Sequence, residues 1–289
     1  AIDWHSAGRE VAAVVDSRPD PGGDVVEILK TLGIEVIAGQ ALIEAQGRNR
    51  VKRALVAPID GEGKKIVGKV RVINCDLIAS SGGWNPVIHL SSHTGNQPVW
   101  EESIGGFVPK HSNDKVRSVG ACAGKYSLTE CLSGGAAAGV KAALLAGFGE
   151  ELGPSFKFEV EGDRNDKGHA FFLAPHIRSV SRAPSQFVDM QLDVTADAIE
   201  VAVREGFESV EHIKRYTALG FGTDQGKLSN VNGIGILANA LGRSIPEIGT
   251  TMFRPAYTPT TFGAIAGRDV GSLFDPERQT AIHRWHEEH

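Results

Sequence analysis

Apolar residues in the first half of the chain fall into short blocks separated by glycine and proline. The run VAAVVD at 11–16 is apolar up to its last residue, the pattern of a strand buried in a parallel sheet. Pro19, Pro21, Gly22 and Gly23 then break the chain. Beyond them Val25, Ile28, Leu29 and Leu32 share one face of a helix predicted over 25–32, with Asp24 as its cap and Gly33 as its stop. A strand over 34–37 completes a strand–helix–strand unit with short connections. The opening residues read as the end of a helix running into the first strand. Three antiparallel strands are predicted over 40–46, 51–57 and 66–72, turning at 47–50 and 60–63. CDLIA at 75–79 predicts a further buried strand, SSGGWNP at 80–86 a glycine-rich loop, and 116–119 another short strand.

Ser127 heads a helix predicted over 128–147, whose many Ala and Gly residues allow close backbone approach. Residues 153–185 show weak periodicity interrupted by Pro154, Pro175 and Pro184 and read as a connecting segment. From Asp193 the helical pattern sharpens. Thr195 heads 196–205, Ser209 heads 210–217, and Ser229 or Asn230 heads 231–241, with glycine stops at Gly206, Gly220 and Gly242. The tail 243–289 is rich in Pro, Thr, Gly and Arg and has few periodic apolar positions. There is no internal repeat. The predicted fold class is α/β: a smaller nucleotide-type domain over 1–103, the closing part of a larger dinucleotide-binding domain over 104–152, the connecting segment 153–185, a small helical module over 186–242, and a linker over 243–289.

Composition narrows the function classes. A length of 289 residues predicts about two domains, and 41% hydrophobic with 22% charged residues is ordinary for a globular protein with a proper core. Thirty Lys and Arg against thirty-five Asp and Glu, with no basic tract, argue against nucleic acid or an anionic membrane as main partner. No apolar stretch approaches the roughly 18 residues of a membrane span. Three cysteines cannot form a disulfide framework, which points to a reducing, cytoplasmic compartment. The start lacks the basic and apolar regions of a signal peptide, and the only methionines are Met190 and Met252, so a processed chain or a fragment is expected.

The strongest chemical signal is Gly120–Leu128, a strand–Gly-Ala–helix passage following the earlier glycine-rich loop. Glycine there lets the backbone approach a cofactor's ribose and pyrophosphate, and a helix start directs N–H groups at phosphate. The alternative is a tight turn with no ligand. Asp16 closes a strand where an acid often meets a ribose 2′-hydroxyl, but the glycine fingerprint expected about 20 residues earlier would precede residue 1, and Arg18 lies beside it. Strand-end surface is the competing reading. Cys122 and Cys131 are nine residues apart, suit no common zinc or cluster motif, and read as packing residues; there is no Cys-x-x-Cys pair for dithiol chemistry. His283 and His286 share a helix face without a supporting ligand set, and read as a solvated tail. His5, His89, His93, His111, His169 and His176 are scattered, with no nucleophile–base spacing. The polar, basic stretch 209–230 reads equally as an anion cradle or as a capped surface loop.

Four segments carry a family resemblance: CDLIASSGGWNPVIHL (75–90), GACAGKYSLTECLSGGAAAG (120–139), FVDMQLDVTADAIEVAVREGFESVEHIKRYTALGFGTDQGKLSNVNG (187–233) and MFRPAYTPTTFGAIAG (252–267). They resemble the α subunits of heterotetrameric sarcosine oxidases, essentially from end to end, with 187–230 the most specific part. The resemblance implies a two-dinucleotide-binding, pyridine nucleotide-disulfide oxidoreductase-like fold, in a subunit that begins with a GxGxxG domain and ends with an aminomethyltransferase-like domain. This chain lacks both and looks like the middle of such a subunit. The implied activity is oxidation of sarcosine by O₂ to glycine and H₂O₂, the one-carbon unit passing to tetrahydrofolate or leaving as formaldehyde. The implied cofactors are NAD on the α subunit, FAD on β, and FMN held by β at the α/β interface. The implied partners are the β, γ and δ subunits.

Carried over by position, Gly120, Ala121, Tyr126, Ser127 and Leu128 would line the second side of the NAD site. Residues 186–242 also resemble a small helical [2Fe–2S] module, but the places of its four cysteines, around 187–189 and 222–226, hold none, which excludes a cluster. Lys214, Arg215, Thr223 and Lys227 could then face the FMN interface, or the module could be a structural adaptor holding α to β. Two rival readings of the chain are an independent NAD(P)H-dependent flavin reductase and a scaffold segment that binds no cofactor.

Overall fold

The computed structural model describes residues 1–110, 116–149, 158–161, 170–253 and 258–289. Helix α1 (Ile2–Ser6) precedes strand β1 (Val14–Asp16), helix α2 (Asp24–Thr31) and strand β2 (Val36–Ala38). β1 and β2 pair in parallel, Val14 opposite Val36 and Asp16 opposite Ala38, so the predicted strand–helix–strand unit forms. Gly23, not Asp24, is the N-cap of α2, and Leu29, Ile34 and Ile37 of the unit are buried, with Pro21 in its connection.

β3 (Gln40–Gly47) and β4 (Val51–Pro58) follow as an antiparallel pair with Ala41 opposite Ala57 and a register shift between Leu42 and Glu44. β5 (Arg71–Asn74) completes the three-stranded sheet. It is shorter and later than the predicted 66–72, because β4 ends at Pro58, which has no N–H for the ladder, and Gly68 lies against that proline ring. Only Ile66 makes a bridge, to Ile59.

Two predicted strands do not form. Residues 75–79 leave the sheet once Cys75 N–H has bonded to Lys52 O (3.1 Å), and Leu77 is 53% exposed rather than buried. Residues 116–119 likewise have no regular structure. Both stretches have the composition of interior parallel strands, but a strand exists only through bonds to a neighbour, and no described residue supplies one.

Helix α3 (His89–Ser92) leads to a hairpin of β6 (Val99–Glu101) and β7 (Gly106–Val108), too short for its alternation to predict, which straddles the 103/104 boundary. A 3₁₀ turn over Gly120–Ala123 then precedes helix α4 (Leu128–Leu145). Ser127 caps α4 as predicted, its hydroxyl accepting from Glu130 N–H at 3.2 Å. No residue of α4 is buried. The predicted boundary at 152/153, together with Pro154, His111 and His169, lies outside the described residues.

Regular structure among the described residues of the second half is mainly helical. β8 (Phe187–Asp189) and β9 (Val194–Thr195) pair before α5 (Ala196–Arg204), α6 (Val210–Thr217) and α7 (Asn230–Leu241). Thr195 caps α5 through Ala198 N–H (3.2 Å), whereas Ser209 makes no side-chain cap bond. Ile199, Ala202, Ile213, Leu219, Ile234 and Leu237 form the main core, and Ile88 and Phe107 from the preceding segment are buried in the same cluster. The tail is more ordered than its composition suggested, with α8 (Ile245–Ile248), α9 (Phe262–Ala266) and α10 (His283–Glu288). A capping box of Ser244 and Glu247 starts α8.

Candidate functional site

The glycine turn before α4 has the backbone form its sequence suggested. Gly120 adopts φ +67° and Gly124 φ +76°, conformations that residues with a Cβ rarely reach. A Cβ on Gly124 would come within 2.8 Å of Ile104 and 2.9 Å of Val108, so the turn is seated on the β6–β7 hairpin. Cys122 and Cys131 donate their thiols to the carbonyls of Val119 (3.0 Å) and Lys125 (3.2 Å). The Tyr126 hydroxyl oxygen is buried without a hydrogen-bond partner among the described residues, and burial raises its pKa above the usual phenol value. Ala121, Tyr126, Ser127 and Leu128 thus line one continuous turn around the N-terminus of an 18-residue helix.

A second constellation joins two segments that are far apart in the sequence. A cavity of about 30 Å³, room for roughly one water, is lined by Asn85, Ile88, His89, Lys227, Asn230 and Phe253 among others. Asn85 and Pro86 end the glycine-rich loop and Val87–His89 follow it, while Lys227 and Asn230 belong to the basic loop and the first turn of α7. His89 is 4% exposed, and its ring lies 4.0 Å, centroid to centroid, from that of Phe253. Burial lowers its pKa to about 4, helped by the charges of Lys227 and His93; a bond to the Gln225 backbone and the charge of Asp224 act in the opposite direction. His89 is therefore a neutral imidazole at neutral pH. Asn230 fills the gap between Gly220 and Gly226, and its Nδ2 donates to Thr251 Oγ1 at 2.9 Å.

The four basic-loop candidates separate. The buried Lys214 ammonium lies 5.8 Å from the Phe221 ring centroid. Arg215 bonds to Glu211, pairing with its carboxylate at 3.0 Å. Thr223 accepts from Gln191 Nε2 at 2.9 Å on the exposed side of the loop, and Lys227 reaches the cavity. Sequence reasoning passed over His89, taken there as one of several scattered histidines, and Asn230, taken as a cap; neither spacing foretells that they meet.

Elsewhere Arg18 folds back on Asp16 through Nε (3.1 Å) and Nη2 (2.8 Å), holding that carboxyl below its usual pKa. Among the described residues no group of three or more His, Cys, Asp or Glu could hold a metal, and no helix is long and apolar enough to cross a membrane.

The sarcosine oxidase subunit alpha of Rhizobium meliloti (strain 1021) is 36% identical over 297 residues, covering all of this chain and 27% of the relative. The subunit of the same name from Corynebacterium sp. (strain P-1) is 37% identical, covering 97% of this chain and 29% of the relative. This chain resembles the sarcosine oxidase α subunit along its whole length. It spans between a quarter and a third of the length of these α subunits. The Sarcosine oxidase A3 domain matches residues 183–268, which take in β8 to α9. In fold, the chain is similar to the crystal structure of L-proline dehydrogenase from P. horikoshii, with a TM-score of 0.57 and 16% identity over 89% of this chain and 50% of that one. The sarcosine oxidase likeness is thus one of sequence, and the dehydrogenase likeness one of mixed α/β architecture.

Proposed function

We propose that the chain is part of the α subunit of a sarcosine oxidase, the oxidoreductase that converts sarcosine to glycine with O₂ reduced to H₂O₂. The observation that carries this reading is the end-to-end similarity to α subunits at 36–37% identity. In this role the chain contributes binding and assembly. The oxidation and the reduction of O₂ are chemistry supplied by the flavins, FAD and FMN, held by the β subunit, and the one-carbon unit goes to tetrahydrofolate in the assembled enzyme with β, γ and δ.

The residues fit NAD at the α4 turn. Gly120, in a left-handed conformation, and Ala121 bring bare backbone to the surface beside the helix start. The buried Tyr126 hydroxyl has a hydrogen bond to give, and Ser127 and Leu128 set the direction of the helix N-terminus toward a phosphate. On the module, Thr223, bonded to Gln191 on the exposed side of the loop, and Lys227, four residues later in the same loop, are the interface residues. At the finer level of fold, residues 1–103 and 104–152 belong to the two-dinucleotide-binding type and 186–242 to the ferredoxin-like type without its cluster.

The test is extraction of NAD from the full-length α subunit carrying Gly120→Val. Loss of bound nucleotide is expected, because valine is strained at φ +67° and its side chain crowds Cys131. Full retention would refute the turn as the NAD site. Co-elution of the chain with the β subunit tests the interface, and no binding would refute it. An independent reductase would instead oxidise NADH with flavin by itself.

A further inference from the structure

Asp189 ends β8 and is 3% exposed, a costly place for a carboxylate unless its oxygens are bonded. Oδ1 accepts from the N–H groups of Gln191 (3.0 Å) and Leu192 (3.2 Å). Oδ2 accepts from Gly220 N–H (3.2 Å) and from the Ser229 hydroxyl (3.0 Å). One side chain therefore ties the β8–β9 turn to both ends of the loop 220–229. Gln191 spans the middle of that loop, donating to Thr223 Oγ1 (2.9 Å) and accepting from Asp224 N–H (3.4 Å). Asp224 in turn accepts from the N–H groups of Gly226 (2.9 Å) and Leu228 (3.3 Å).

The bonded stretches, 189–192 and 220–229, overlap the two where a cluster-bearing module would hold its cysteines. Here they are joined by carboxylate and carboxamide hydrogen bonds. Within the loop, Gln225 is held at a positive φ of 52°. Such conformations cost on the order of 1 kcal/mol or more and persist only where the surroundings fix them. Met190 and Leu228, flanking the Asp189–Ser229 bond, are nonetheless 82% and 81% exposed. An ordered loop presenting bare apolar side chains is suited to docking, since little entropy remains to be lost on binding.

We propose that Asp189 is a positioning residue: it holds the loop 220–229 in the conformation in which Thr223 and Lys227 meet the flavin-bearing subunit. The purpose assigned to the loop rests on the interface reading above; the positioning rests on the hydrogen bonds. In either orientation Asp189→Asn puts a donor against backbone N–H groups, that of Gly220 or those of Gln191 and Leu192. In the full chain, amide exchange across 220–229 should then rise at least tenfold while α5 and the middle of α7 keep their protection. Binding to the β subunit should weaken about tenfold, and the flavin absorption band of the remaining complex should shift, which a merely structural role would leave alone.

Gln191→Ala, which leaves the buried carboxylate in place, should raise exchange at Thr223 and Asp224 even if the Asp189 variant fails to fold. Unchanged loop protection in both variants would overturn the proposal. Raised exchange with full binding, with Thr223→Ala and Lys227→Ala also binding normally, would refute the interface reading and leave the positioning standing.

Discussion

Replacing His89 by phenylalanine should remove most of one pH dependence from the stability of the fold. The ring is buried against Phe253, and its pKa falls from 6.5 to about 4, chiefly through burial. Between these values the unfolded chain binds a proton that the folded chain refuses, so stability is complete above 6.5 and is lost as pH falls toward 4. The full difference is about 3 kcal/mol at 1.36 kcal/mol per unit, and about 2 kcal/mol of it disappears between pH 7 and pH 5. The charges of Lys227 and His93 lower the pKa further, and that of Asp224 raises it. Phenylalanine keeps an aromatic ring against Phe253 and removes the titration. Urea unfolding at pH 7 and pH 5 measures both proteins, and carboxylates common to the two cancel in the comparison. The wild-type chain should lose about 2 kcal/mol more than the variant over this interval. Parallel losses would show that His89 is not held neutral by its site and would refute the reasoning.

Helix glycines should divide by what surrounds them. Gly235→Ala in α7 drives a Cβ into the Phe172 ring and should destabilise by about 1–2 kcal/mol in urea unfolding despite better helix propensity, whereas Gly139→Ala in α4, with nothing within 4 Å, should be neutral or slightly stabilising. Ser127→Ala should cost about 1 kcal/mol of local stability, read as faster amide exchange in the first turn of α4, because it removes the acceptor for Glu130 N–H. Arg71→Ala should leave unfolding midpoints nearly unchanged, since its bonds to Glu35 (2.5 and 2.6 Å) join two half-exposed side chains that water and salt screen.

The sequence by itself determined what local patterns can determine. Periodicity located α2, α4, α5, α6 and α7 to within a few residues, because amphipathic spacing, capping residues and glycine stops act within a few positions of one another. It located β1 to β4 for the same reason and showed the glycine turn at 120–124. Residues 75–79 and 116–119 show the limit: their composition is that of buried strands, but pairing depends on a neighbour that composition cannot supply. The β6–β7 and β8–β9 pairs were hidden for the opposite reason, being two or three residues long and fixed by their packing.

Only the tertiary structure decided how the candidate site is assembled. Lys214 and Lys227 look alike in the sequence, as basic residues of one stretch; folding buries the first against Phe221 and brings the second to a cavity shared with His89, 138 positions earlier. Asp189 reads as an unremarked strand end until Gly220 and Ser229 are found bonded to it. A short-range pattern encodes helices and turns because their energies are local. Whether a charge is displayed, neutralised or turned inward depends on desolvation and on partners that only the folded chain brings within reach.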